Sequence, residues 1–284
     1  MKSKGILLVV AVLLVAVSFL TFNTLHLQAM VRELETERQS LAQQNADLNQ
    51  SLADSNRRLR DLESRGQSNN QGTGKTAYLT FDDGPSANTI AILDLLKQYD
   101  IKATFFVIAN GSEQSRAIYH RIVDEGHALG LHGYVHDYAV AYQSVDAYMN
   151  NLYRLQDFLY EVVGQRPTIT RFLGGSNTGM TTKYGGPDLA KSLVARLADD
   201  GLQYFDWNVS SADTSRPVVD AEVIASTVLS GAKGRKQAVV LMHDAPLKTT
   251  TVEALPRIIE GLQAQGFGFA VLNPDSPSVK FTIR

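Results

Sequence analysis

From Thr76 to Leu272 short apolar runs alternate with longer amphipathic ones, and this alternation limits the fold more than any other feature of the chain. The apolar runs are Thr76–Phe81, Ala103–Ile108, Ala128–Leu131, Thr168–Phe172, Gln203–Trp207, Ala238–Met242 and Phe269–Leu272. Between them, apolar residues recur at helical spacing over Ala87–Tyr99, Gln114–Glu125, Val145–Val163, Asp188–Asp200, Val219–Leu229 and Val252–Gln265. Strand–helix–strand repetition implies parallel strands joined by crossover helices. Seven strands within about 200 residues suit a closed or nearly closed barrel better than an open sheet. The expected fold class is α/β: a distorted (β/α) barrel of about seven parallel strands over residues 76–284.

Upstream of the barrel the pattern changes twice. Met1-Lys-Ser-Lys4 is basic, and Gly5 to Phe22 is apolar and uncharged. At ~1.5 Å per residue such a run, with its flanks, spans a ~30 Å hydrocarbon core. Residues 1–23 are therefore read as a transmembrane helix in the cell membrane, with the remainder extracytoplasmic. The alternative is a signal peptide cleaved near Ala16-Val-Ser18, which would leave a secreted protein. Over residues 24–63, Leu27, Leu34, Leu41, Leu48 and Leu62 share one heptad position, interrupted by Ser55. Val31, Leu52 and Leu59 share the partner position with Arg38 and Asn45. This predicts a coiled-coil stalk and a parallel homodimer, with a single solvated spacer helix as the alternative. Residues 64–75 are polar and glycine-rich and read as a linker.

Composition narrows the chemistry. The chain has no cysteine, so any metal must be held by nitrogen and oxygen ligands. Its net charge is −2 and no basic cluster stands out, so no nucleic-acid partner is expected.

The residues able to do chemistry sit at strand ends. Asp82 and Asp83 follow Leu79-Thr-Phe81, His132 follows Ala128–Leu131, and Arg171 follows Thr168-Ile-Thr170. Asp213 follows Trp207-Asn-Val-Ser-Ser, and His243 follows Val239–Met242. In a β/α barrel such ends converge on one mouth. Adjacent carboxylates on extended backbone point in different directions, so one of Asp82 and Asp83 can bind a metal while the other faces a water. His132 and His136 reach one metal if their segment makes a helical turn or a tight loop. One carboxylate and two imidazoles leave positions open for water and substrate. The expected ion is zinc, with cobalt, nickel or iron as alternatives. His243, uncoordinated, is a candidate general acid, and Asp213 is a candidate partner that raises its pKa. Arg171 is a candidate partner for Asp82. Trp207, Tyr134 and Leu241 are candidates for walling a sugar or acetyl pocket, with core packing as the alternative for Trp207. His120 and His127 are read as structural.

Taken in order, these stretches resemble the polysaccharide deacetylase family of carbohydrate esterases, from about Lys75 to Leu272. Thr80-Phe-Asp-Asp-Gly84 is similar to the family's first motif, which implies Asp82 as catalytic base and Asp83 as metal ligand. His132-x-x-x-His136 is similar to the second and implies the other two ligands. Arg171-Phe-Leu-Gly-Gly175 resembles the third, with Arg171 orienting the base. Trp207 to Asp213 resembles the fourth, and makes Asp213, rather than Asp206, the support of the histidine. Leu241-Met-His243 resembles the fifth, with Leu241 lining the acetyl pocket and His243 as acid. The resemblance implies a metal-dependent hydrolase that removes N-acetyl groups from an amino-sugar polysaccharide, with peptidoglycan as the expected substrate and a backbone amide near Tyr134 as an oxyanion donor. The alternatives are an O-acetyl esterase, on xylan for example, and a glycan-binding scaffold without catalysis. Two positions depart from the family pattern: Gly133 stands where a Ser or Thr is usual, and Leu173 where a Pro is usual. The first predicts weaker metal binding and the second a less rigid loop.

Overall fold

The structure is a computed structural model that describes residues 74–283, with a few helical, exposed positions between Arg32 and Gln44. The anchor expected over 1–23, most of the stalk over 24–63 and nearly all of the linker over 64–75 lie outside the described residues. Among the described residues, no helix is long and apolar enough to cross a membrane.

Eight parallel strands form one sheet: β1 (Lys75–Asp82), β2 (Thr104–Ile108), β3 (Ala128–Gly133), β4 (Ile169–Thr170), β5 (Gln203–Tyr204), β6 (Val209–Ser210), β7 (Gln237–His243) and β8 (Phe267–Phe269). Their order is β5-β4-β3-β2-β1-β7-β6, and β8 pairs with the start of β1. The long helices are α1 (Ala87–Gln98), α2 (Glu113–Asp124), α4 (Val145–Val163), α6 (Leu189–Asp199), α7 (Ala221–Ala232) and α8 (Thr249–Ala264). Two short ones, α3 (Tyr138–Ala141) and α5 (Gly179–Gly185), lie in the connections.

The expected α/β class and parallel strands are present, and three details differ. Among the described residues the strands number eight, because Val209–Ser210 forms a two-residue strand on β7, too short for periodicity to reveal. The strand path ends at β5 and β6, so the wall is not closed by hydrogen bonds between them. The C-terminal segment lies against the link between those two strands, with Asp206 N donating to Val279 O at 2.8 Å. The last strand falls at Phe267–Phe269 rather than Phe269–Leu272. Beyond Ala77, β1 offers that edge to β2 instead, and Leu272 N turns to Thr104 Oγ1.

Strand parity then places the chemistry. On β1, Ala77, Leu79 and Phe81 pack into an outer core shared with the helices. Tyr78 faces the other way, into an inner core with Phe106, Ile169, Phe205, Val239 and Leu272. Side chains alternate along a strand, so Asp82 follows Tyr78 and Thr80 to the inner face. By the same parity His243 follows Val239, His132 follows Gly130, and Arg171 follows Ile169. Each fully buried apolar side chain in these cores contributes about 1.5–3 kcal/mol, which holds the strand ends in register.

Candidate active site

Arg171 is fully buried beneath the mouth, and each nitrogen of its guanidinium donates a hydrogen bond. Nη1 donates to Asp82 Oδ1 at 2.8 Å and to Thr80 Oγ1 at 2.7 Å. Nε donates to Phe205 O, and Nη2 to Asp206 O. Its central carbon sits over the Phe106 ring, 4.3 Å from the ring centroid. Asp82 is thereby held by one oxygen, and its Oδ2 is left towards His132, 3.9 Å from Nε2.

The next residue breaks the strand. Asp83 takes a φ of 78°, a left-handed conformation that costs a non-glycine residue energy and is common at functional sites. Its Oδ1 lies 3.3 Å from His132 Nε2 and 3.4 Å from His136 Nε2. Ligand atoms of Asp83, His132 and His136 all fall within 4.8 Å of one another. That Oδ1 is buried and accepts no hydrogen bond from the protein. His132 Nδ1 donates to Arg171 O at 3.0 Å, which leaves the Nε2 lone pair for the centre. The donor set, the orphaned oxygen and the fixed tautomer all fit a divalent metal such as zinc. The loop between the histidines is tight rather than helical. Without an ion, burial raises the pKa of Asp83, but the imidazoles of His132 and His136 outweigh it and hold the carboxyl well below its usual range. Burial disfavours the charged form of His132, yet Asp82 and Asp83 prevail and its pKa rises. That of His136 falls, through burial and then the charge of His132.

Across the mouth, His243 Nδ1 bonds Asp213 Oδ1 at 2.8 Å, and His243 N donates to Asp213 Oδ2 at 2.8 Å. Thr251 Oγ1 also donates to Oδ2, at 3.0 Å. Burial lowers the His243 pKa, but the hydrogen bond and charge of Asp213 reverse this and push it up to about 9. Asp213 itself is pulled down by the same bond against its burial. Asp206 serves elsewhere. Its carboxylate accepts from Ser176 N, Ser176 Oγ and Phe281 N.

The structure brings together Asp82, Asp83, His132, His136, Arg171, Asp213 and His243. Leu241 lies on the inner face of β7, and Trp207 is half-buried at Phe281 and Gly175. Tyr134 is a correction. Its ring packs edge-on against Phe158 and under Arg154, both on α4, and its N–H donates to Asn151 O at 3.1 Å. Neither ring nor amide is turned to the mouth. At Leu173, where the resemblance implies a less rigid loop, the side chain is fully buried and the carbonyl accepts from Tyr142 Oη at 2.8 Å. His127 is structural as expected: Nδ1 accepts from Ala103 N, and burial lowers its pKa to about 4.

Sequence reasoning missed several neighbours. Tyr138 sets its ring edge against His136 at 5.6 Å. Asp244 is buried behind Asp83, accepts from Thr89 Oγ1, and is raised by burial to about 7. A Cβ on Gly84 would lie 2.2 Å from Asp244 Oδ2, so only glycine fits there. The signal for Asp244 was its place directly after His243.

Comparison with known proteins decides the family. The chain is 36% identical over 202 residues to the putative polysaccharide deacetylase YheN of Bacillus subtilis, covering 70% of this chain and 67% of that one. It belongs to the polysaccharide deacetylase family. The family model described as polysaccharide deacetylase matches residues 69–186. A peptidoglycan-N-acetylglucosamine deacetylase of Bacillus cereus is 34% identical over 71% of each chain. The crystal structure of the catalytic domain of peptidoglycan N-acetylglucosamine deacetylase from Eubacterium rectale superposes with a TM-score of 0.70 at 34% identity, covering 74% of this chain and 94% of that one. As a polysaccharide deacetylase the chain is a hydrolase, and the strand-end residues above carry the motifs by which it resembles the family.

Proposed function

We propose that this deacetylase removes N-acetyl groups from amino-sugar polysaccharide, with the N-acetylglucosamine of peptidoglycan as its substrate, and that it uses one divalent metal, zinc, held by Asp83, His132 and His136. The observation that carries the reading is the shared Asp83 Oδ1, orphaned between two imidazole nitrogens beside a paired base and a paired acid. The relatives named for peptidoglycan N-acetylglucosamine support the substrate class.

A metal held by Asp83, His132 and His136 would supply Lewis acidity for the acetyl carbonyl and would lower the pKa of a water towards ~7. Asp82, locked by Arg171 through Oδ1, uses Oδ2 to take a proton as the water oxygen bonds to the acetyl carbon. His243, its Nδ1 engaged by Asp213, gives a proton from Nε2 to the leaving nitrogen as the carbon–nitrogen bond breaks. The products are acetate and a free amine. Leu241 and Trp207 border the acetyl and sugar. A membrane anchor over 1–23 would hold the domain beside cell-wall glycan.

Acetate release from peptidoglycan and from acetylated xylan, measured side by side, tests this. The expected result is release from peptidoglycan, reduced about 10²–10⁴-fold in Asp82→Asn. Faster release from xylan would reassign the enzyme as an O-acetyl esterase.

A further inference from the structure

We propose that Asn151, on α4, is a positioning residue that fixes the loop carrying His136 and thereby sets the affinity of the centre for its metal. This rests on reading Asp83, His132 and His136 as the ligands.

After His132 the chain must leave the β3 direction and bring His136 back beside it, with the two ring centroids 5.3 Å apart. Only three residues separate the ligands, and none is in a helix or strand beyond Gly133. Their peptide groups therefore need partners from outside the loop. Asn151 supplies three. Its backbone carbonyl accepts from Tyr134 N at 3.1 Å. Its side-chain Oδ1 accepts from Val135 N at 2.9 Å, and its Nδ2 donates to Val135 O at 3.0 Å. The side-chain amide thus reads both polar groups of the residue directly before His136, as a neighbouring strand would.

Two further observations agree. Asn151 is 6% exposed and stands among Tyr148, Leu152 and Leu155 on the buried face of α4. A buried amide is costly there unless hydrogen-bonded. The space it fills belongs to residue 133: a Cβ on Gly133 would lie 2.7 Å from Asn151 Nδ2 and 3.2 Å from Val135 O. Gly133 also holds a φ of 140°, which a side chain rarely adopts. Glycine at 133 and asparagine at 151 form one device: the first clears the space, and the second occupies it and ties the loop. The weaker metal binding expected from Gly133 is offset by this tie.

The test measures cobalt and zinc affinity of the full chain by competition with a chromophoric chelator, together with the visible spectrum of the cobalt form. Asn151→Ala is expected to bind about 10–100-fold more weakly, the range for residues that orient metal ligands, with an altered cobalt spectrum. Asn151→Asp keeps the acceptor for Val135 N but sets oxygen against Val135 O, and should fall between Asn151→Ala and the parent. Gly133→Ala should weaken binding by itself, since its side chain crowds Asn151 Nδ2 and meets a φ of 140°. Leu159→Ala, about two turns further along α4, controls for general softening and should leave affinity within a few-fold of the parent. Equal affinity in the parent and Asn151→Ala, or an equal loss in Leu159→Ala, would overturn the proposal while leaving the metal site standing. Absence of binding by the parent would remove both.

Discussion

Asp213 grips His243 at two points, the ring nitrogen and the peptide nitrogen, while Thr251 holds the carboxylate in place. A general acid must be protonated to act, so activity should fall as pH rises through the His243 pKa, about 9. Asp213→Asn removes the partner that raises this pKa and leaves burial, which lowers it. The alkaline limb of kcat should therefore move to lower pH, and an unmoved limb would show that another group sets it. Arg171 offers a second test at this scale. Its charge is buried with that of Asp82, and breaking one side of such a pair costs about 3–5 kcal/mol. Arg171→Met should lower stability by that order in denaturant unfolding and abolish turnover. The charged residues at strand ends were legible because strand parity and order alone place them at one mouth. Asn151 was not, since its role arises from a helix passing behind a loop fifteen residues away, and nothing in the sequence near His136 names its partner.

At the scale of elements, the loop after β1 depends on how closely β7 approaches it. Gly84 leaves room for the Asp244 carboxyl, and Ser86 Oγ donates to Asp244 O. Gly84→Ala forces carbon against that carboxyl and should cost about 1–3 kcal/mol, with loss of metal binding because Asp83 is its neighbour. Wild-type affinity in a folded Gly84→Ala protein would show that Asp83 is held by other means. The long helices and most of the longer strands were legible, because apolar periodicity over many residues survives local exceptions. The two-residue strand β6 and the short helices α3 and α5 were not. Such segments are set by tertiary hydrogen bonds, such as Ser211 N to Leu241 O and Tyr142 Oη to Leu173 O, and carry no period of their own. The aromatic stack of Tyr138, Tyr142, Tyr148 and Phe172 shows the same limit. It ends on Phe172, the residue between Arg171 and Leu173.

For the whole molecule, protons and metal compete for one place. His132, its pKa raised by Asp82 and Asp83, must lose a proton before its Nε2 can bind an ion. Metal affinity should therefore fall as pH drops, with proton release on binding measurable by calorimetry in buffers of different ionisation enthalpy. We propose that residues 1–23 anchor the chain and 24–63 form its stalk. If so, the full chain sediments with membranes, and the domain from residue 74 onward is released but still active on soluble glycan. In the proposed mechanism one ion, gripped by Asp83, His132 and His136, drives deacetylation. The most direct test of that mechanism is the acetate that the chelator-stripped full chain releases from peptidoglycan as zinc is titrated back. Activity is expected to rise with bound zinc and to saturate at a single ion per chain, with Asp83→Ala inert throughout. Stripped protein, or Asp83→Ala, working at the rate of the zinc-loaded parent would contradict it.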